Sequence, residues 1–116
     1  MLIVLAIAMQ ATAQPPREKL DSATYAWAAC GTRYAARWMD QNETASDLAT
    51  LAIARCGDER REARTAVEEF ARSEHAMTVA DQLFDQTEKS VRQVVATNVL
   101  EMRAKAKTQV KPPSKR

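Results

Sequence analysis

A chain of 116 residues has room for one small domain. Two glycines, four prolines and an alanine-rich, 46% apolar composition argue for helices, with only two Phe, two Tyr and two Trp to build a core. The net charge of +2 is too small to mark the chain as a nucleic-acid binder, and an acid-base balance this even says nothing for or against other partners.

The first nine residues, Met1 to Met9, are almost all apolar, and Ala11-Thr12-Ala13 follows them. An apolar stretch before a small-x-small site is the pattern of a secretory signal peptide, although no Lys or Arg precedes it. The run is roughly half the ~20 apolar residues that a membrane span needs. The expectation is a signal over 1–13, cleavage near Ala13, and a periplasmic or secreted protein. A single helical domain over 14–107 and a basic, disordered tail over 108–116 would follow.

Pro15-Pro16 suits a helix start, because proline is tolerated in the first turn. Leu20, Trp27, Tyr34 and Trp38 then recur at helical spacing, with Ala23, Cys30 and Gly31 between them, and make one core-facing stripe. Asp40 to Glu43 reads as a turn. Thr44-Ala45-Ser46-Asp47 has the form of a capping box, which starts a second helix at Thr44. Ala45, Leu48, Ala49, Ala52, Cys56, Ala63, Val67 and Phe70 would face inward. Gly57-Asp58 either ends this helix or sits within it at a cost of ~1 kcal/mol relative to alanine. The helix-favouring stretch from Asp58 to Phe70, with the pair Glu68–Arg72, favours continuity with a kink.

One straight helix from Thr44 to Lys107 would be ~95 Å long and would leave most of its apolar face bare. The polar stretch Arg72 to His75 is therefore the expected break. A third helix follows, with Met77, Ala80, Leu83, Phe84, Thr87, Val91, Val94, Val95, Asn98 and Met102 on one broad face. Its acids come early and its bases late, as the helix dipole favours. Asp85–Lys89, Glu88–Arg92 and Glu101–Lys105 are expected i,i+4 pairs.

Two cysteines in an exported chain usually pair. Cys30 lies ten residues before Asp40, and Cys56 twelve after Thr44. Both would stand ~15–18 Å from the turn, facing each other across an antiparallel hairpin. Gly31, Gly57 and neighbouring alanines allow the close helix approach that a disulfide needs. The competing reading is a redox or metal pair, but no C-x-x-C is present and the spacing fits no metal-ligand pattern. The expected fold is all-α: a disulfide-stapled antiparallel helical hairpin plus a long third helix. The layout from Ala26 to Cys56 resembles a loose pattern in small exported bacterial helical proteins of unassigned role, and transfers no functional residue.

His75 is the single histidine, with no His or Cys one turn away. No phosphate loop, G-x-S-x-G or H-E-x-x-H occurs. The expectation is a protein that is not an enzyme and holds no cofactor or metal. Glu101 to Arg116 carries +5 and the rest of the chain −3. Arg103, Lys105, Lys107, Lys111, Lys115 and Arg116 are accordingly candidate contacts to an anionic membrane or envelope polymer. The function expected first is a non-catalytic binding module of the bacterial envelope with a protein partner. Met39, Leu51 and Ile53, apolar and off the main stripes, would form a partner or homodimer surface. A membrane-surface protein docking through its tail comes second, and an inhibitor of an envelope enzyme third, acting through Asp40 to Glu43 or Arg72 to His75.

Overall fold

The computed structural model describes residues 14–109. The expected signal over 1–13 and the tail from residue 110 onward lie outside the described residues. Four α-helices and one 3-10 turn make up the fold, and no strand occurs among the described residues: α1 (Pro16–Arg37), α2 (Ala45–Ala54), α3 (Gly57–Ser73), the 3-10 turn (Met77–Val79) and α4 (Ala80–Gln109).

Local chemistry sets most of the boundaries. Pro15 and Pro16 open α1, where a missing amide proton costs nothing. Trp38 closes it, its amide donating to the Ala35 carbonyl at 3.0 Å. Thr44 caps α2: its Oγ1 accepts from the Asp47 amide at 3.1 Å, the first half of the expected capping box. The polar break falls where expected. His75 adopts φ 55°. The Ala76 amide reaches back to the Ala71 carbonyl at 2.8 Å, and the His75 amide to that of Arg72 at 3.1 Å. This is a Schellman motif with histidine in the left-handed position.

The expected continuity through Gly57 is overturned. α2 stops at Ala54, and Cys56, at φ −101° and ψ 60°, is the N-cap of α3. A continuous helix would bond the Gly57 amide to the Ile53 carbonyl. That carbonyl instead accepts from the Cys56 amide at 3.1 Å and from the Trp27 indole Nε1 of α1 at 3.2 Å. The tertiary donor replaces the helical one, so the break leaves no orphaned acceptor. Gly57 is not in a left-handed conformation, and its role is to begin a helix rather than to end one.

α1 touches each of the other three helices. Lys19 of α1 pairs with Glu69 late in α3 at 3.4 Å, and Cys30 bonds Cys56 midway, so α1 runs opposite to the α2–α3 segment. Trp27 is fully buried and stacks on Phe84 of α4 at 5.8 Å between centroids. Leu48, Ile53, Val67, Val91, Val95 and Val99 complete the large part of the core, and alanines fill the rest. A large apolar side chain contributes ~1.5–3 kcal/mol when fully buried, and an alanine much less. A few side chains therefore carry the core, and a cross-link through it matters.

The stripes expected from sequence are largely the buried ones, with four corrections among the larger side chains. Ile53, expected on a partner surface, is 3% exposed. It is buried because α2 packs on both α1 and α4 and needs a wider apolar arc than one partner would require. Met77 and Val94, expected inward, are exposed, and Val99, not expected there, is buried. None of the four expected i,i+4 pairs lies within ion-pair distance among the described residues. Glu68 pairs with Arg64 at 3.5 Å and Glu88 with Arg60 at 3.7 Å, and Arg64 reaches Asp81 at 2.6 Å. Each of these pairs is largely solvated and contributes ~0–1 kcal/mol. The guanidiniums of Arg60 and Arg64 also lie 4.9 and 4.8 Å from the Phe84 ring centroid, so their planes cover the edge of the core.

Candidate interaction site beside the disulfide

Cys30 points from the middle of α1 and Cys56 from the α2–α3 break. They form a disulfide with Cα atoms 6.2 Å apart, and both residues are buried. The close approach comes from α1: Gly31, next to Cys30, is buried against Ile53 and Val95. A Glu59 carboxylate oxygen and the two sulfurs lie within 4.8 Å of one another. That triad resembles a ligand set in spacing alone. Sulfurs bonded to each other have no thiolate to give a metal, so in the oxidised protein the pair is a staple.

The surface beside the staple is a cleft of about 420 Å³. Cys30, Arg33, Tyr34 and Arg37 line it from α1, Arg55 from the break, and Gly57, Asp58 and Glu59 from the first turn of α3. Arg33 and Arg37 share a helix face because they are four residues apart. The Arg37 guanidinium lies 5.2 Å from the Tyr34 ring centroid, and that of Arg55 lies 5.4 Å from Trp38. Tyr34 and Trp38 contact each other at 6.0 Å, so the two arginines flank an aromatic pair. Among the described residues Arg33, Arg37 and Arg55 make no salt bridge, whereas Asp58 is paired with Arg61. The first turn of α3 has no side-chain cap, because its N-cap residue is the half-cystine Cys56. None of these arginines stood out in the sequence, where they are dispersed over 33–55. Only folding brings them to one cleft.

The residues singled out from sequence are otherwise scattered. Arg103 is half-buried and donates from Nε to the Met39 carbonyl at 3.3 Å and from Nη2 to the Gln41 carbonyl at 3.0 Å. It holds the α1–α2 turn, a structural task that its place in a basic segment did not suggest. Lys105 and Lys107 are exposed in the last turns of α4, which runs to Gln109 rather than 107. Lys111, Lys115 and Arg116 lie outside the described residues. His75 is exposed in the Schellman turn. Asp40 to Glu43 is an exposed turn. A second groove, about 630 Å³, runs between α1 and α3, and the Lys19–Glu69 pair lies along it. No described helix is long and apolar enough to cross a membrane.

Compared with known proteins, the chain matches no family model, no curated protein and no solved structure. The functional reading rests on the residues themselves.

Proposed function

We propose that the chain is an exported, periplasmic or secreted protein that acts by binding rather than by catalysis, as an interaction module of the bacterial envelope. The observation that carries this reading is the buried Cys30–Cys56 disulfide, set where α1 meets the α2–α3 break. Disulfides form and persist in oxidising compartments. The apolar stretch and small-x-small site over 1–13 supply a route to one. In this reading α2 and α3 act as a single arm broken at Cys56. The architecture is then a disulfide-stapled antiparallel hairpin covered by a long third helix, with the basic tail leaving from its end.

Expression in a bacterial host with a C-terminal tag, followed by fractionation and intact mass measurement, tests the compartment. The expected species begins at Gln14, resides outside the cytoplasm and lacks the two thiol hydrogens. Unprocessed protein with free thiols in the cytoplasm would sink the reading. A pull-down from envelope extract with the oxidised protein, compared with a cysteine-free variant, tests the binding role.

Docking on anionic lipid through Lys105, Lys107, Lys111, Lys115 and Arg116 is the second reading; Arg103, expected among these contacts, is engaged by the Met39 and Gln41 carbonyls. This reading is favoured by the exposure of Lys105 and Lys107 at the end of α4. Loss of vesicle co-sedimentation on removal of residues 108–116 would support it.

A further inference from the structure

We propose that the cleft bounded by Arg33, Arg37 and Arg55 beside the Cys30–Cys56 disulfide binds a phosphate group. This goes beyond the binding-module reading and does not depend on export, because it is read on the purified oxidised chain. Three arginines from two separate segments line one cleft of about 420 Å³. None is neutralised by a salt bridge among the described residues. Like charges do not gather at no cost, and an anion between them relieves their repulsion.

The geometry suits an oxyanion in particular. Arg37 and Arg55 lie against Tyr34 and Trp38, which are themselves in contact. An arginine packed against a ring loses less freedom when its fork of N–H groups engages a phosphate or carboxylate. Charge then selects between the two. Asp58 is occupied by Arg61, so Glu59 is the one acid of the cleft left to offset its three arginines. Two positive charges remain, which a phosphate dianion balances and a single carboxylate does not.

The test is a titration of the isotope-labelled oxidised full chain with inorganic phosphate, followed by amide NMR at a pH above the second phosphate ionisation. Chloride at matched ionic strength is the reference. Saturable shifts are expected over residues 30–37 and 55–59. Arg33→Gln with Arg55→Gln should weaken binding by about tenfold or more, the loss expected when charge-assisted hydrogen bonds are removed. Arg72→Gln, outside the cleft, should leave it unchanged. Thermal unfolding of each variant checks that the fold survives, and Arg33→Gln with Arg37→Gln is the second pair if the first is unstable. Shifts that chloride reproduces, that never saturate, or that fall equally on Lys105 and Lys107 would overturn the proposal. So would unchanged affinity in a folded double variant. Vesicles containing phosphatidic acid identify the source of the phosphate. Recruitment that free phosphate competes away, and that needs Arg33 and Arg55, assigns a lipid headgroup. Saturable phosphate binding without such recruitment assigns a soluble phosphate ester.

Discussion

Gly31 and Ile53 approach so closely that a Cβ built on Gly31 would lie 2.8 Å from Ile53 Cγ2, and 3.0 Å from Val95 Cγ2. Alanine is the better helix former by ~1 kcal/mol, so propensity alone predicts that Gly31→Ala stabilises α1. Packing opposes it. Two branched methyl groups from α2 and α4 would have to move, and overpacking of this kind costs ~1–3 kcal/mol. The expected net result is destabilisation, read as a lower urea midpoint. Ile53→Ala in the same chain should recover part of the Gly31→Ala loss, and a double-mutant cycle should show coupling between the two. Stabilisation by Gly31→Ala would mean that α1 and α2 are further apart than described.

The disulfide closes a loop with a sequence separation of 26 in a core built largely on alanine. The chain-entropy account assigns ~3–4 kcal/mol to a cross-link of this span. Cys30→Ala with Cys56→Ala should therefore lower the stability by about that amount and raise the urea m-value, since the unfolded chain is less constrained. Denaturation of the native protein with and without reductant measures the same difference independently. Equal midpoints in the two conditions would show that the staple adds nothing.

Much of this arrangement was legible in the sequence because it depends on local signals. Thr44 and Asp47 mark a helix start by their own hydrogen bond, and Cys30 and Cys56 fall at matching distances from that turn. The polar stretch ending in His75 marks the next break. What could not be read depends on neighbours distant in the chain. The break at Cys56 is favoured by an indole from α1, and Ile53 is buried because two helices cover α2. Arg103 is held by carbonyls more than sixty residues away. The arginine cleft is of the same kind: Arg33, Arg37 and Arg55 form no motif until α1 lies along the α2–α3 break.

Trp27 has two separable roles. Its ring stacks on Phe84, and its Nε1 satisfies the Ile53 carbonyl where α2 breaks. Trp27→Phe keeps an aromatic ring and removes the donor. A lost buried hydrogen bond and a small cavity together predict a cost of ~2–3 kcal/mol. Trp27→Ala should cost ~3–5 kcal/mol, because the stack goes as well. Calorimetric or chemical unfolding of the two variants separates the contributions. Amide exchange at Cys56, whose amide shares the Ile53 carbonyl with the indole, should quicken in Trp27→Phe, because the break loses a tertiary tether. A Phe variant as stable as the parent, with unchanged exchange there, would show that the indole hydrogen bond is not what holds the break.

His75 occupies a backbone conformation, φ 55°, that suits glycine better than any residue with a Cβ. Its side chain is exposed and forms no hydrogen bond among the described residues, so replacement removes no contact of that kind. Relief of left-handed strain is worth ~1–2 kcal/mol, and part of that is returned through the greater freedom of glycine in the unfolded chain. His75→Gly should therefore raise stability by about 0.5–1 kcal/mol. His75→Val should lower it, since a β-branched residue is the least tolerant of positive φ. Thermal unfolding of both variants gives the sign directly. The order glycine, histidine, valine is expected from most to least stable. A histidine more stable than glycine would mean that the Ala71–Ala76 turn relaxes to another conformation in solution.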